Sequence, residues 1–184
     1  MTPELKTERY MLRRFLTKDL AAFAKYRAIA EVAQYQSWSD YSYEDALRLY
    51  EGIDYNSFGA VGQWYQLAIV QSDSNILVGD LALHFVDELQ VEVGFTVDPE
   101  YQRQGVAEEA LQELLKYLFT HMGKHRVIAI TDTLNIPSFK LLEKIGFRRE
   151  AHYIQNIFFK GNWGDEYSYG MLKTEYQGIL ADGA

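Results

Sequence analysis

The stretch from Val93 to Ala107, Val-Gly-Phe-Thr-Val-Asp-Pro-Glu-Tyr-Gln-Arg-Gln-Gly-Val-Ala, constrains the chain more than any other. It reads as the end of a strand, a tight turn and the start of a long helix. Upstream, Val91, Val93, Phe95 and Val97 alternate with Glu92, Gly94 and Thr96, the period of a strand with one apolar face. Downstream, Ala107, Ala110, Leu111, Leu114, Leu115 and Leu118 recur at helical spacing over about Val106 to Met122, and Gly123 stops the run. A strand feeding an amphipathic helix has to bury both apolar faces, so the chain needs a sheet with a helix laid on it.

The junction also suits an anion. The first turn of a helix holds amide hydrogens without intrahelical acceptors and carries partial positive charge. Gly105 leaves the approach open and Ala107 adds only a methyl, so the backbone from Gln102 to Ala107 forms a candidate cradle for a pyrophosphate.

The remaining elements extend the pattern. Arg9 to Leu16 predicts a first strand, Thr17 a cap for a helix over Lys18 to Ile29, and Ser42 with Asp45 a capping box for a helix through about Tyr55. Trp64 to Gln71 and Ile76 to Val86 predict a hairpin, followed by a strand over Gln90 to Val97. Arg126 to Thr131 predicts a strand, and Pro137 opens a helix that Gly146 stops. Two last strands, Arg148 to Phe159 and Glu166 to Leu172, enclose a loop from Lys160 to Asp165. The expectation is one α+β domain over residues 1–184: a mixed, mostly antiparallel sheet of about seven strands flanked by helices, a core over 1–175 and a flexible tail over 176–184.

Composition excludes several classes. With no cysteine there is no disulfide framework, thiolate metal site or acyl-cysteine intermediate. The 26 acidic against 18 basic residues, net charge −8, disfavour nucleic acid as a partner. His84, His121, His125 and His152 lack metal-ligand spacing and read as structural or exposed, so no metal is expected. No stretch approaches the ~18 apolar residues of a membrane span, and the N-terminus lacks a signal-peptide pattern; the expectation is no membrane partner and a cytoplasmic address.

The strand–turn–helix stretch resembles the acetyl-CoA signature of the GNAT N-acetyltransferases. A second block, Asn135 to Phe147, resembles the Asn-x-x-Ser and Glu-Lys-x-Gly-Phe segment of the RimJ/RimL-like branch, which acetylates protein N-termini or small amines. The resemblance implies acetyl-CoA as co-substrate. Its pyrophosphate would sit on the amides of Gln102, Arg103, Gln104, Gly105, Val106 and Ala107, and its pantetheine arm beside Phe95, Thr96 and Val97, faced by Asn135 and Ser138. Arg103 and Lys140 are candidate contacts for the adenosine phosphate. Many family members carry a tyrosine acid seven residues after the Asn, where this chain has Leu142, so Ser138 becomes the candidate partner of the departing sulfur.

An ammonium must lose a proton before it attacks a thioester, and Glu92, on the less apolar strand face, is the candidate base; an ordered water is the alternative. Some relatives use a Glu on the strand after Gly-Phe, where this chain has Gln155, Asn156 and Ile157. Tyr35, Trp38, Tyr41, Tyr43, Trp163, Asp165 and Glu166 lie in segments that border the acceptor cleft in this family. By analogy with relatives, exposed aromatics are also a candidate homodimer surface. The expected function is direct transfer of acetyl to a primary amine, the alternative being a noncatalytic acetyl-CoA-binding module.

Overall fold

The computed structural model describes residues 2–182. Its elements in chain order are β1 (Leu5–Lys6), β2 (Tyr10–Arg14), α1 (Leu20–Arg27), α2 (Ala30–Ala33), α3 (Tyr43–Gly52), β3 (Trp64–Gln71), β4 (Leu77–Phe85), β5 (Gln90–Val97), α4 (Val106–Lys116), β6 (Arg126–Asp132), α5 (Ile136–Lys144), β7 (Arg148–Phe159), β8 (Asn162–Leu172) and α6 (Lys173–Asp182). One sheet carries eight strands in the order β1-β2-β3-β4-β5-β6-β8-β7. Every neighbouring pair is antiparallel except β5 and β6. Those two run parallel for only three residue pairs, Gln90 with Arg126, Val91 with Val127 and Glu92 with Ile128, and then diverge.

The sheet faces are sorted by strand alternation. On one side Tyr65, Leu67, Ile69, Leu81, Leu83, Val91 and Val93 pack with Val106, Ala110, Leu111, Leu114 and Leu118 of α4 and its extension. On the other, Ala68 and Val70 pack with Leu20, Phe23, Ala24 and Tyr26 of α1 and Ala46 of α3. The same face carries Trp64, His84 and Glu92 in direct cross-strand register, and likewise Gln66, Ala82 and Gly94. The two apolar layers thus leave a polar stripe under α1.

Several local expectations change. The additional strand β1 is two residues long, too short to show a period. Thr17 does not cap a helix: Thr17–Asp19 is a 3-10 turn, and the buried Asp19 carboxylate accepts from the Leu16 amide (2.8 Å) and from Arg13 (2.7 Å). The Ser42–Asp45 capping box forms in both directions, at 3.1 and 2.9 Å. The long helix continues beyond α4 as a π-helical turn over Tyr117–His121. In place of a loop from Lys160 to Asp165 there is a two-residue turn, Lys160–Gly161, with φ of +48° and +86°, the geometry that joins twisted antiparallel strands tightly. The segment read as a flexible tail is the helix α6 through residue 182; Tyr176 is buried on it against Phe119, ring centroids 5.1 Å apart. Residues 183 and 184 lie outside the described residues.

A buried ionic cluster ties α1 to the sheet. Asp80 of β4 accepts from Tyr26, Gln66 and Arg27, the last at 3.1 Å. Burial and the neighbouring Asp80 carboxylate push the Tyr26 phenol well above its usual value, so it stays a donor. The Arg27 guanidinium lies between the rings of Phe23 and Trp38, 4.2 and 4.1 Å from their centroids. Removing one partner of such a pair strands the other charge away from water. Asp80→Ala is therefore expected to cost about 3–5 kcal/mol of folding stability, measured by urea denaturation at neutral pH.

Candidate active site

The divergence of β5 from β6 opens the sheet, and the opening brings together four of the sequence candidates, Phe95, Thr96, Asn135 and Ser138, while Glu92, Val97 and the turn from Gln102 to Ala107 lie outside its lining. A cleft of about 400 Å³ runs through it. Val93, Gly94, Phe95 and Thr96 form one wall and Ala129, Ile130, Thr131 and Asp132 of β6 the other. Asn135, Ser138 and Leu142 of α5 line it too, as do Trp64, Gln66 and Asp80 from the α1 face. The cleft therefore connects the helix face of α5 with the polar stripe under α1.

Strand geometry leaves the walls of this opening with peptide groups to spare. The Asp98 amide donates to Val78 O (3.0 Å), which turns it toward β4. Alternation then turns the peptide groups of Phe95 and Val97 the other way, toward the gap, where β6 no longer pairs. Val97 O is taken by the Gln102 side-chain amide at 3.1 Å. The Val97 side chain itself does not line the cleft, whereas Phe95 and Thr96 do.

Beyond β5 the chain makes a 3-10 turn over Pro99–Tyr101 and then the predicted cradle. Arg103 and Gly105 both have left-handed backbones, φ +59° and +79°, and Gly105 immediately precedes α4. The first backbone bond into the helix is Glu109 N–H to Gly105 O (3.0 Å), so the amides of Val106, Ala107 and Glu108 precede intrahelical pairing. Two carboxylates at the same helix end, Glu108 and Glu109, would compete with an anion. Both are diverted: Glu108 to Lys144 at 2.6 Å, and Glu109 to Arg9 at 2.7 Å and to the Thr7 hydroxyl at 2.5 Å. Arg9 also donates to Gln104 O (2.9 Å), which braces the turn from outside. The chemistry of this donor set, backbone amides at a helix start with neutralised neighbours, fits a diphosphate.

A side chain added at Gly105 would meet an Arg9 nitrogen at 3.1 Å, the far end of a flexible side chain. The need for glycine there lies in the left-handed backbone more than in the space around it.

On α5, Asn135 caps the helix, its side-chain oxygen accepting from the Ser138 amide at 3.4 Å. The Ser138 hydroxyl has no hydrogen-bond partner among the described residues, and Leu142, 1% exposed, lies beside it on the cleft wall. Glu92 stands apart from the residues lining the cleft, one step back from Gly94 on the α1 face. Burial pushes its carboxyl above the usual value, the facing His84 pulls the other way, and Glu166 adds to the rise. His84 Nδ1 is 3.8 Å from Glu92 Oε2.

Of the segments expected to border the acceptor side, Tyr35, Trp38 and Glu166 line the cleft. Tyr41 packs beneath Trp38 and against Phe23. Tyr43 is exposed on α3, Trp163 pairs with Phe158 on the outer surface, and Asp165 holds His152. Arg27, Trp64, Gln66, Asp80 and Asp132 were not singled out from sequence. The available signal was polarity inside otherwise apolar strands, at Gln66 and Asp80. Among the described residues no group of three or more His, Asp or Glu is placed to hold a metal ion, and no helix is long and apolar enough to cross a membrane.

Known proteins resemble the chain in sequence and in fold. Residues 9–148 match the model of the acetyltransferase (GNAT) domain. The chain is 32% identical over 174 residues to the uncharacterized N-acetyltransferase YnaD of Bacillus subtilis, covering 94% of this chain and 98% of that one. A GNAT-family acetyltransferase structure from Bacillus anthracis superposes with a TM-score of 0.83 at 33% identity, over 94% of this chain and 99% of that one. Mycobacterium smegmatis RimJ in complex with CoA-disulfide shares the fold at 20% identity, TM-score 0.80, over 99% and 94% of the two chains. The chain belongs to the GNAT acetyltransferase family.

Proposed function

We propose that the chain transfers the acetyl group of acetyl-CoA directly to a primary amine, either a small molecule or a protein N-terminus. The observation that carries this reading is the opening between β5 and β6. It joins the α5 wall on one side to a polar, aromatic-lined chamber on the other, and the phosphate-suited turn follows β5 just outside it. A thioester laid along Phe95 to Val97 would meet an amine from the α1 face. The RimJ of Mycobacterium smegmatis, similar in fold and in complex with CoA-disulfide, supports the donor; the acceptor is read from the chamber's carboxylates, Asp80, Asp132 and Glu166, against the guanidinium of Arg27.

In this reading acetyl-CoA supplies an activated carbonyl, and the protein's groups do the rest. Amides from Gln102 to Ala107 hold the diphosphate. Gap-facing peptide groups at Phe95 and Val97 hold the arm and offer a donor to the developing oxyanion. Glu92 takes the ammonium proton, directly or through a water, and Ser138 offers its free hydroxyl to the departing sulfur. Holding both substrates in one cleft removes the need for an acyl-enzyme, which the absence of cysteine also disfavours.

The reading is tested by measuring CoA-thiol release with N-terminal peptides, polyamines and other primary amines. Release with at least one acceptor is expected. Calorimetric binding of acetyl-CoA with no turnover on any acceptor would instead favour a binding module, and no binding at all would refute both.

Three variants resolve the parts. Gly105→Ala forces a non-glycine residue into a left-handed backbone at a cost of about 1–2 kcal/mol. Acetyl-CoA affinity by calorimetry is expected to fall about 5–30-fold if the turn relaxes to escape that strain. Glu92→Gln is expected to lower kcat/KM by about 10²-fold or more at neutral pH, the loss shrinking as pH rises to where the acceptor deprotonates by itself. On the acid side, the raised Glu92 pKa means that the wild type's carboxylate base is lost on acidification sooner than that of a free glutamate. Ser138→Ala should lower kcat while leaving the dissociation constant of acetyl-CoA close to wild type, as single-turnover kinetics would show.

A further inference from the structure

The ladder Trp64, His84, Glu92 crosses β3, β4 and β5 on the α1 face, each residue directly opposite the next. The His84 ring lies flat on the Trp64 indole, centroids 4.7 Å apart and planes 7° from parallel. That stack fixes the ring plane, and the ring's Nδ1 edge then faces Glu92 Oε2 at 3.8 Å. His84 and Glu92 side chains are each 25% exposed, so the pair is half withdrawn yet open to water. Trp64 lines the cleft, so the ladder runs from its wall to His84 and Glu92 just outside the lining.

The charged groups around this pair are few. Among the described residues no Lys or Arg forms an ion pair with Glu92. From β8, Glu166 lines the cleft and adds a second negative charge facing Glu92. From β3 the neighbour is Trp64, which does not titrate. A histidine kept only for packing needs the indole stack and nothing more; here the stack also aims a ring nitrogen at the one half-buried carboxylate assigned to proton removal. A carboxylate that has taken a proton from an ammonium must lose it before the next turnover, and a histidine ring nitrogen can accept and release one.

We propose that His84 is a positioning residue for acetyl transfer, relaying the acceptor's proton from the Glu92 carboxyl to solvent. This rests on the reading of Glu92 as the base. The proton balance is simple. An N–H bond of the ammonium breaks as an O–H bond forms on Glu92. That O–H then breaks as the proton moves to Nδ1 of neutral His84, across the 3.8 Å separation by a small approach or a bridging water. The imidazolium gives a proton to water, and both groups return to their starting charge.

The experiment is the pH profile of kcat and KM, from about pH 6 to about pH 10, for His84→Phe, which keeps the stack on Trp64, and His84→Asn, which keeps a side-chain nitrogen near the Nδ1 position but cannot carry a proton. Both variants are expected to lose at least about tenfold in kcat below the acceptor's own pKa, less than the ~10²–10⁴ of a group that itself transfers the proton. Both should rejoin the wild type where the acceptor is already neutral, with KM for acetyl-CoA unchanged. The double variant with Glu92→Gln should be no slower than Glu92→Gln alone. A wild-type profile for His84→Phe would reduce the residue to its stack, and one for His84→Asn would remove the relay; either overturns the proposal. An unchanged profile for Glu92→Gln alongside steady acetyl transfer would overturn it too, leaving the transferase reading intact. Absence of turnover with every amine would take down that reading and the relay together.

Discussion

Everything at the site depends on one break in hydrogen bonding: the parallel pair β5 and β6 holds for three residue pairs and then parts. A buried strand that loses its neighbour exposes amides and carbonyls that need partners. β6 resolves its other edge by pairing with β8 along its length, and Val97 O finds the Gln102 side chain. What is left over faces the cleft. Both strands also end there by their carboxyl termini, the place where sheets with parallel neighbours leave room for ligands. On the proposed reading an extended pantetheine arm takes the position a continued β6 would occupy, and the helix start beyond β5 meets the phosphates at the arm's far end.

The strand, turn and helix that frame this break were legible because their signals are local. The alternation over Gln90 to Val97 and the strand Trp64 to Gln71 gave boundaries that the structure keeps. Gly105 was read as open space for an anion; its φ of +79° shows that conformation is the stronger constraint. The break itself was not legible. It depends on how β6 sits between β5 and β8, and no periodicity within a strand encodes which strand lies beside it. The chamber on the α1 side was hidden for the same reason, since Arg27, Trp64, Asp80 and Asp132 meet only after the sheet is assembled. Local signals also misled at the C-terminus, where Gly178 interrupts the helical pattern of α6, and at Lys160–Gly161, where a non-glycine residue accepts a left-handed backbone.

The wall of the chamber on the α1 side is held by polar contacts that reach across the opening. Trp38 Nε1 donates to Arg27 O at 3.0 Å, and its indole covers the Arg27 guanidinium that Asp80 neutralises. Lys160, at the tip of the β7–β8 hairpin, donates to Ala33 O and Trp38 O at 2.6 and 2.8 Å; Tyr35 donates to Leu134 O at 3.1 Å. The aromatic connector after α2 is thus fastened both to the hairpin and to the loop before α5. A buried ion pair is a poor source of stability compared with apolar packing, so its use under this wall is better explained by placement. It fixes α1 on β4, and through Trp38 it fixes the connector that bounds the cleft.

The two ends of the proposed reaction are accordingly built with different materials. At the α5 end, Leu142 is buried and unable to donate, and the Ser138 hydroxyl is left free beside it, so a departing sulfur would meet a weak donor in an apolar wall. At the α1 end the groups are carboxylates: Glu92, half withdrawn with His84 as its facing titratable neighbour, and Glu166 at the cleft surface. Such an arrangement favours drawing a proton off the nucleophile over delivering one to the leaving group. A thiolate leaves at neutral pH with little help, whereas an ammonium cannot attack at all, so on the proposed reading proton removal is needed on the amine side, where Glu92, His84 and Glu166 stand.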